Sequence, residues 1–288
     1  MADVAAHDDS SQVAVADAPS GAGRSLRQAV ITAVILILLM IGCYLIGPIA
    51  FFVLAAAVVL TALFELLDAL VQTGHHPNVV LGVLGGFGMM LVAFLERPVL
   101  IAVIVVASMY LAFLLALRPG RGRSSTSDVA WTMLALLWVG GGGAAAVAML
   151  RLGSDPVLLL IGFVLITAVD DITAYFAGSS LGRHKMAPSI SPAKSWEGAV
   201  GGAIGAIVAG AVFGLLFDDL GPVHGLAIGA IAAVLAPVGD LMESLAKREI
   251  GIKDSGRLLP GHGGLFDRLD AILFCAPAAF LYLRFVVY

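Results

Sequence analysis

The densest group of charged residues and glycines in this chain lies between Ser244 and Asp270, within an otherwise strongly apolar sequence. Basic residues come first, a His-Gly-Gly turn follows at 262–264, and an Asp-Arg-x-Asp run closes the segment at 267–270. Charge at this density is costly beside a membrane, so we expect it to serve a charged ligand. Lysines, arginines and glycine amides suit phosphate groups, whereas carboxylates suit a hard divalent cation such as Mg²⁺.

Three carboxylates border this segment, because Asp240 precedes it and Asp267 and Asp270 lie at its end. The positive end of a helix dipole favours acidic residues, so helix capping alone could explain one of the last two. Capping does not explain Asp240 as well, and neighbouring carboxylates repel one another unless a cation lies among them. We therefore expect Asp240, Asp267 and Asp270 to lie around a hard divalent cation such as Mg²⁺. The number of cations is left open, and a second is allowed.

The polar residues that precede the turn have helical spacing. Asp240, Ser244 and Lys247 are four and then three residues apart, which places them on one face of a helix, with Glu243 close to that face. His262 could contact a phosphate or the substrate, although a single histidine beside glycines is more often a turn or hydrogen-bonding residue. We do not predict it to be a metal ligand.

A second polar segment begins at Asp170 and Asp171, inside an apolar stretch. Asp171 and Tyr175 are four residues apart and therefore share a helix face. An ionisable group at this depth usually faces the protein interior or a water-filled cavity. The spacing to Tyr175 favours Asp171 over Asp170 as the residue that faces a cavity. A structural hydrogen bond between helices is the alternative explanation.

The same segment continues as a basic loop with Ser191, Lys194 and Ser195 near its end, before the next apolar run. Hydroxyl groups, a lysine and backbone amides at a helix N-terminus can form an anion site. We expect these three residues to close the site from the second loop. The basic residues could instead serve only to fix the membrane topology.

Composition assigns these segments to a membrane protein. Of the 288 residues 60% are hydrophobic and 12% are charged, and the mean hydropathy is +1.02. A soluble domain has about 25% charged residues, and an apolar run of about 20 residues suffices to cross a bilayer. We predict an all-α fold, a polytopic integral membrane helical bundle of about nine transmembrane helices, near 28–46, 49–72, 78–95, 98–117, 128–150, 156–177, 197–217, 223–246 and 268–287.

The distribution of basic residues predicts the orientation of this bundle. If the N-terminus is cytoplasmic, all but three of the sixteen lysines and arginines fall on the cytoplasmic side, as the positive-inside rule expects. The protein is therefore predicted to lie in the cell (inner) membrane. The N-terminus and both polar segments would be cytoplasmic, and the C-terminus would lie outside.

We expect three regions along the chain. Residues 1–27 lack the basic start and short apolar core of a cleaved signal peptide, so we expect the first span to be retained. Their polar composition indicates a disordered cytoplasmic tail. Residues 28–150 would form N-terminal transmembrane helices. Residues 151–288 would form a catalytic transmembrane region with cytoplasmic loops at 178–196 and 247–267.

The segment from Ser244 to Asp270 resembles the signature of the phosphatidate cytidylyltransferases, also called CDP-diacylglycerol synthases. That signature is Ser, two residues, Lys-Arg, four residues, Lys-Asp, then Pro or Gly before His-Gly-Gly and a closing Asp-Arg-x-Asp. Its positions in this chain are Ser244, Lys247, Arg248, Lys253, Asp254, Pro260, His262, Gly263, Gly264, Asp267, Arg268 and Asp270. The upstream Asp171–Tyr175 pair and the run from Ser191 to Gly198 are similar to the family too, with Ser195 where a threonine is usual.

The resemblance covers about a fifth of the chain. It implies an enzyme that joins CTP to phosphatidic acid and releases CDP-diacylglycerol and pyrophosphate at the lipid bilayer. It also implies a metal centre at Asp240 and Asp267 and a homodimer; no nucleic-acid partner is expected. The catalytic residues would be Asp240, Lys247, Asp267 and Asp270. The substrate-binding residues would be Asp171, Tyr175, Ser191, Lys194, Ser195, Ser244, Arg248, Lys253, His262, Gly263, Gly264 and Arg268.

This chemistry agrees with the residue types. A phosphate monoester already carries a charge of about −1.5 to −2, so the lipid phosphate can attack without a dedicated general base. The difficulty is to bring two polyanions together, which Mg²⁺ and clustered basic residues address. Two alternatives use similar residues. A CTP-dependent polyprenol or other lipid kinase would transfer the γ-phosphate instead, and an ion-coupled transporter would use buried acids and broken helices, usually near the midplane of the membrane.

Overall fold

The computed structural model describes residues 38–117, 125–252, 255–256 and 264–288. Within these ranges the chain forms a bundle of helices that carries a small β-hairpin, and helical residues 38–46 lead into it. Its elements are α1 (Pro48–Gln72), α2 (Val79–Phe94), α3 (Pro98–Ala116), α4 (Thr126–Ala135), α5 (Gly141–Ala148), α6 (Pro156–Leu181), β1 (Lys185–Ala187), β2 (Ser191–Ser195), α7 (Trp196–Leu216), α8 (Gly221–Glu249) and α9 (Phe266–Tyr282). The π-helical Leu136–Gly140 joins α4 to α5, the 3₁₀ turn Met149–Arg151 follows α5, and the π-helical Leu283–Val287 extends α9.

The helices have the lengths and composition of membrane spans. Within the described ranges, seven are long and apolar enough to cross a bilayer: Pro48–Gln72, Pro98–Ala116, Thr126–Arg151, Pro156–Leu181, Trp196–Leu216, Gly221–Glu249 and Phe266–Val287. Val79–Phe94 is equally apolar but has only 16 residues. The predicted integral membrane helical bundle is therefore confirmed. The first expected span, 28–46, begins outside the described residues, and the total of nine stays a prediction.

Several helices begin at residues whose side chains accept hydrogen bonds from the free amides of the first turn. Asn78 accepts a hydrogen bond from the amide of Leu81 at 3.0 Å, and Asp155 accepts one from Leu158 at 3.0 Å. Ser125 forms a capping box at the start of α4. These caps satisfy amides that have no partner inside the helix, so each of these three helices begins at a defined residue.

Helices α7 and α8 pack at very short range through glycines. A Cβ atom added at Gly210 would collide with the carbonyl of Gly225, and one added at Gly229 would lie 2.5 Å from the carbonyl oxygen of Ala206. Such contacts bring two backbones together, which is how membrane helices associate without a hydrophobic driving force. The pair forms a rigid support for the loops at its ends, one of which is the hairpin.

The hairpin is an addition to the helical bundle that the sequence pattern did not predict. Strands β1 and β2 pair antiparallel, with Lys185 opposite Ser195 and Ala187 opposite Ser191. The amide of Trp196 continues the pairing by donating to the carbonyl of His184 at 2.9 Å. The hairpin thereby connects the end of α6 to the first turn of α7 and fixes the loop that was predicted there.

The polar segment from Ser244 to Asp270 is also more helical than expected. Helix α8 continues to Glu249, so Lys247 and Arg248 lie on its last turn rather than in a loop. Helix α9 begins at Phe266 and already contains Asp267. The ends of α6 and α8 and the starts of α7 and α9 lie at one end of the bundle, where the two polar segments meet.

Candidate active site

A cleft of about 710 Å³ opens at this end of the bundle. Residues from both polar segments line it, although they are far apart in the sequence. Of the residues that the structure describes, its acidic lining comprises Asp170, Asp171, Asp240, Asp267 and Asp270, and its basic lining comprises Lys185, Lys194 and Arg268. Tyr175, Ser191 and Ser195 line it as well. The cleft therefore presents both signs of charge side by side, as a site for phosphates and a cation requires.

Asp267 is held by several donors at the start of α9. Its Oδ1 accepts from the Ser255 hydroxyl at 2.5 Å, and its two oxygens each lie 3.2 Å from the Ser255 amide. The Gly264 amide donates to Oδ2 at 3.0 Å. These bonds fix the carboxylate in one orientation, with the segment 264–270 folded around it.

Lys247 lies behind Asp267, between two carboxylates. Its Nζ is 3.3 Å from Asp267 Oδ1 and 2.7 Å from Glu243 Oε1. The Lys247 side chain is 14% exposed and that of Glu243 is 6% exposed, so this ion-pair network is nearly removed from solvent. A charge buried to this extent is stable only when it is paired, so the lysine and the two carboxylates depend on one another.

An ion pair between Lys194 and Asp240 connects the hairpin to α8. Both side chains are about a quarter exposed (25% and 26%), at the wall of the cleft. Burial lowers the pKa of Lys194 from its ordinary value, and the carboxylates of Asp270 and Asp171 partly offset this shift. The lysine is therefore placed among acidic groups, where an added phosphate would compete with them for its charge.

The base of the hairpin is fixed by Glu197, in the first turn of α7. Its carboxylate accepts from the amide of Arg183 at 3.1 Å and from the amide of His184 at 3.2 Å, and it lies 2.6 Å from His184 Nδ1. Ser195 is buried and caps the same helix by accepting from the Gly198 amide at 3.2 Å. These contacts hold the strand that carries Ser191 and Lys194 against the cleft.

Asp170 and Asp171 both line the cleft, although only Asp171 was favoured by the spacing to Tyr175. Asp170 is buried, at 3% exposure, whereas Asp171 is exposed. Tyr175 is 71% exposed and borders the cleft one turn further along α6. The helix therefore contributes two adjacent carboxylates at different depths.

Comparisons with known proteins identify the family of this chain. A model described as "Cytidylyltransferase family" matches residues 27–286. The chain belongs to this family. It is 32% identical to the phosphatidate cytidylyltransferase of Mycobacterium bovis over 291 residues, which cover 92% of this chain and 90% of that protein. It is 34% identical to the phosphatidate cytidylyltransferase of Brucella abortus over 267 residues, which cover 90% of this chain and 93% of that protein. The uncharacterized protein YnbB of Escherichia coli is 41% identical over 131 residues, covering 46% of this chain and 44% of that protein. The family that the two polar segments predicted is confirmed.

Several residues of the family signature lie outside the cleft lining. Ser244 is half-buried on α8 and is not among the described residues that border the cleft. Arg248 is exposed, and its Nε donates to the carbonyl of Ile190 in the hairpin turn at 3.4 Å. Gly264 acts through its amide on Asp267. Lys253, His262 and Gly263 lie outside the described residues.

Other residues of the site were missed by the sequence analysis. Lys185 lines the cleft, and the basic composition of its loop was the available signal. Ser255 binds Asp267 and stands directly after the Lys-Asp pair of the signature. Glu65 of α1 contacts the start of α9, and the one indication was an acidic residue within an apolar span.

The carboxylate oxygens that line the cleft are of the chemical type that binds a hard cation. Carboxylate oxygens are the ligands that Mg²⁺ prefers, and Asp240 and Asp267 border the same cleft. In the ranges that the structure covers, His, Cys, Asp and Glu side chains form no group of three or more that could hold a metal ion. Asp240 is paired with Lys194, and Asp267 is bonded to Ser255 and Gly264. Metal binding would therefore require these carboxylates to exchange protein donors for the cation.

Proposed function

We propose that this chain is a phosphatidate cytidylyltransferase, which converts CTP and phosphatidic acid into CDP-diacylglycerol and pyrophosphate. The observation that carries the proposal is the cleft at one end of a membrane bundle, where acidic and basic side chains of the family signature converge. Membership in the cytidylyltransferase family supports the same activity. The diacyl chains would stay in the bilayer while the lipid phosphate reaches the cleft.

The reaction needs little proton chemistry from the protein. An oxygen of the lipid phosphate forms a bond to the α-phosphorus of CTP, and the bond between the α-phosphorus and the bridging oxygen of pyrophosphate breaks. The attacking phosphate is already charged by about −1.5 to −2, so a general base is unnecessary. Lys185, Lys194 and Arg268 line the cleft and would neutralise and orient the phosphates of the two substrates.

The cation would be held by Asp240 and Asp267, with Asp270 as a further ligand or a support. When bound, Mg²⁺ would act as a Lewis acid and reduce the repulsion between the two substrates. The donors that now bond Asp267 fix its orientation, and Lys194 holds Asp240 at the wall of the cleft. Asp170 and Asp171 supply further oxygens if a second cation binds.

The protein would lie in the cell (inner) membrane. Its cleft would face the cytoplasm, and its C-terminus would lie outside. CTP is a cytoplasmic nucleotide, and the bias of the basic residues supports this orientation. We also propose that the protein is a homodimer, as the family resemblance implies. Cysteine labelling of loops from each side of the membrane, and the mass of the detergent-solubilised protein, test these two points.

The activity is tested with purified protein in detergent, phosphatidic acid, Mg²⁺ and CTP labelled in the cytosine ring. We expect the label to enter the lipid and pyrophosphate to be released in equal amount. Labelled CDP in solution together with a phosphorylated lipid would instead indicate a kinase and would refute the proposal.

Asp267→Asn tests the role assigned to Asp267. It should abolish CDP-lipid formation, because the amide lacks the charge needed to hold a cation, while the protein stays folded and inserted in the membrane. Asp218→Asn is the matched control, since Asp218 is an exposed carboxylate in the connection between α7 and α8, at the other end of the bundle. Full activity of Asp267→Asn would contradict the metal role.

A further inference from the structure

Glu65 is a buried carboxylate in the N-terminal half of the chain, far along the sequence from both polar segments. It lies on α1 and is 5% exposed, within an apolar helix. An acidic side chain in such a place is costly unless it is paired or hydrogen-bonded. Its partners therefore indicate why the chain keeps it there.

The partners of Glu65 are backbone amides at the start of α9, 200 positions along the chain. Its Oε2 accepts from the amide of Leu265 at 2.5 Å and from the amide of Phe266 at 3.0 Å. The first amides of a helix have no partner inside the helix, and the helix dipole favours a negative charge beside them. Leu265 has a hydrocarbon side chain and cannot cap the helix itself. Glu65 supplies this cap from another part of the protein.

The surroundings are shaped to admit the carboxylate. A Cβ atom at Gly256 would lie 2.5 Å from Glu65 Oε1, and one at Gly264 would lie 3.0 Å from Oε2. Phe266 is fully buried, and its ring meets that of Trp138 edge to face at a centroid distance of 5.3 Å. Helix α1 and the π-helical segment thus hold the first turn of α9 from two directions.

The anchored first turn contains Asp267 and Arg268, and Asp270 comes directly after it; all three line the cleft. We propose that Glu65 is a positioning residue, which fixes the start of α9 so that these three side chains project into the cleft at the correct depth. The effect on catalysis rests on the proposed function, whereas the contact with α9 does not. The N-terminal helices would then contribute to the reaction without touching a substrate.

The test compares three variants of Glu65 in the full-length protein. Both hydrogen bonds end on one oxygen, so Glu65→Gln can keep them through its carbonyl oxygen. Glu65→Asp keeps the charge but withdraws the oxygens by one methylene, and Glu65→Ala removes them. Asp68→Ala is the control, because Asp68 lies on the same helix and bonds Gln72 at 2.5 Å.

We expect Glu65→Ala to lower kcat by about 100-fold, the effect of a small displacement of catalytic groups. The KM values for CTP and phosphatidic acid should change less than kcat, since Lys185 and Lys194 of the hairpin stay in place while Arg268 moves with α9. Glu65→Gln should keep kcat within about tenfold of the unmodified protein. Glu65→Asp should be less active than Glu65→Gln, because the position of the oxygen matters more than the charge.

Hydrogen–deuterium exchange of the amides at 264–270 is the second measurement, and it does not depend on activity. Exchange there should rise in Glu65→Ala and Glu65→Asp and stay near normal in Glu65→Gln and Asp68→Ala. If Glu65→Ala does not fold, the Gln and Asp variants decide. A folded Glu65→Ala with unchanged kcat and exchange, or Glu65→Asp more active than Glu65→Gln, would overturn the proposal. If the unmodified protein makes no CDP-lipid, the proposed function fails, and the exchange data still test the contact with α9.

Discussion

Lys247 was predicted to be a catalytic residue, and we expect it to act through Asp267, which it contacts. Its Nζ lies 2.7 Å from Glu243 Oε1 and 3.3 Å from Asp267 Oδ1, and the three side chains are 14%, 6% and 12% exposed. Lys247→Met keeps most of the aliphatic part of the side chain and removes the ammonium group. The buried carboxylates of Glu243 and Asp267 then lose the positive charge that pairs with them. Breaking a buried ion pair in this way costs about 3–5 kcal/mol.

We expect the lower end of that range, about 3 kcal/mol, for the loss in the free energy of unfolding. The reason is that the Ser255 hydroxyl and the Gly264 amide still bond Asp267 in the variant. A second substitution, Glu243→Gln, removes one of the two stranded charges and should restore part of the stability. Activity should not return with it, because Asp267 still lacks Lys247.

The assay is a denaturant titration in detergent of the unmodified protein, both single variants and the double variant, which together form a double-mutant cycle. Lys185→Met serves as the stability control, since Lys185 is an exposed lysine of the same cleft. A Lys247→Met variant as stable as the unmodified protein, with a raised KM for CTP, would refute the reasoning. It would show that Lys247 binds a phosphate instead.

Two further predictions concern the groups that orient the site. Ser255→Ala should lower kcat by about 10- to 100-fold, because it removes a hydrogen bond to the charged Asp267 that is worth about 1.5–3 kcal/mol. Ser180→Ala is the control and should leave kcat unchanged in the same assay, because the exposed Ser180 hydroxyl bonds only a carbonyl of its own helix among the described residues. Glu197→Ala should release the base of the hairpin, so hydrogen exchange at the amide of His184 should accelerate while the exchange of α8 stays the same. Unchanged exchange at His184 would mean that the strand pairing alone holds the hairpin.

The sequence predicted the membrane helices closely because apolar runs and their interruptions determine where a span can lie. The expected span 98–117 is found as Pro98–Ala116, and the expected span 49–72 as Pro48–Gln72. The convergence of the two polar segments was also foreseeable, since a charged group at the edge of a bilayer needs partners. Each of these inferences depends on composition and local spacing.

The features that escaped prediction depend on tertiary contacts. Helical spacing placed Lys247 on a face with Asp240, but it could not tell that Glu243 and Asp267 would pair with it. The hairpin at 185–195 has few β-branched residues and contains prolines, so its strands carry weak local preference. Glu65 meets Leu265 across 200 positions, a distance at which periodicity carries no information.

The contact between α1 and α9 has a consequence for biogenesis. Helix α1 is synthesised early, so its carboxylate enters the bilayer before the amides of Leu265 and Phe266 have left the ribosome. During that interval an acid within a span costs on the order of 3 kcal/mol without compensation. The cost is relieved when α9 inserts and docks against α1. Assembly of this part of the cleft therefore depends on the docking of α9 against α1, and a product that ends before α9 would retain an unsatisfied acid that quality-control proteases could recognise.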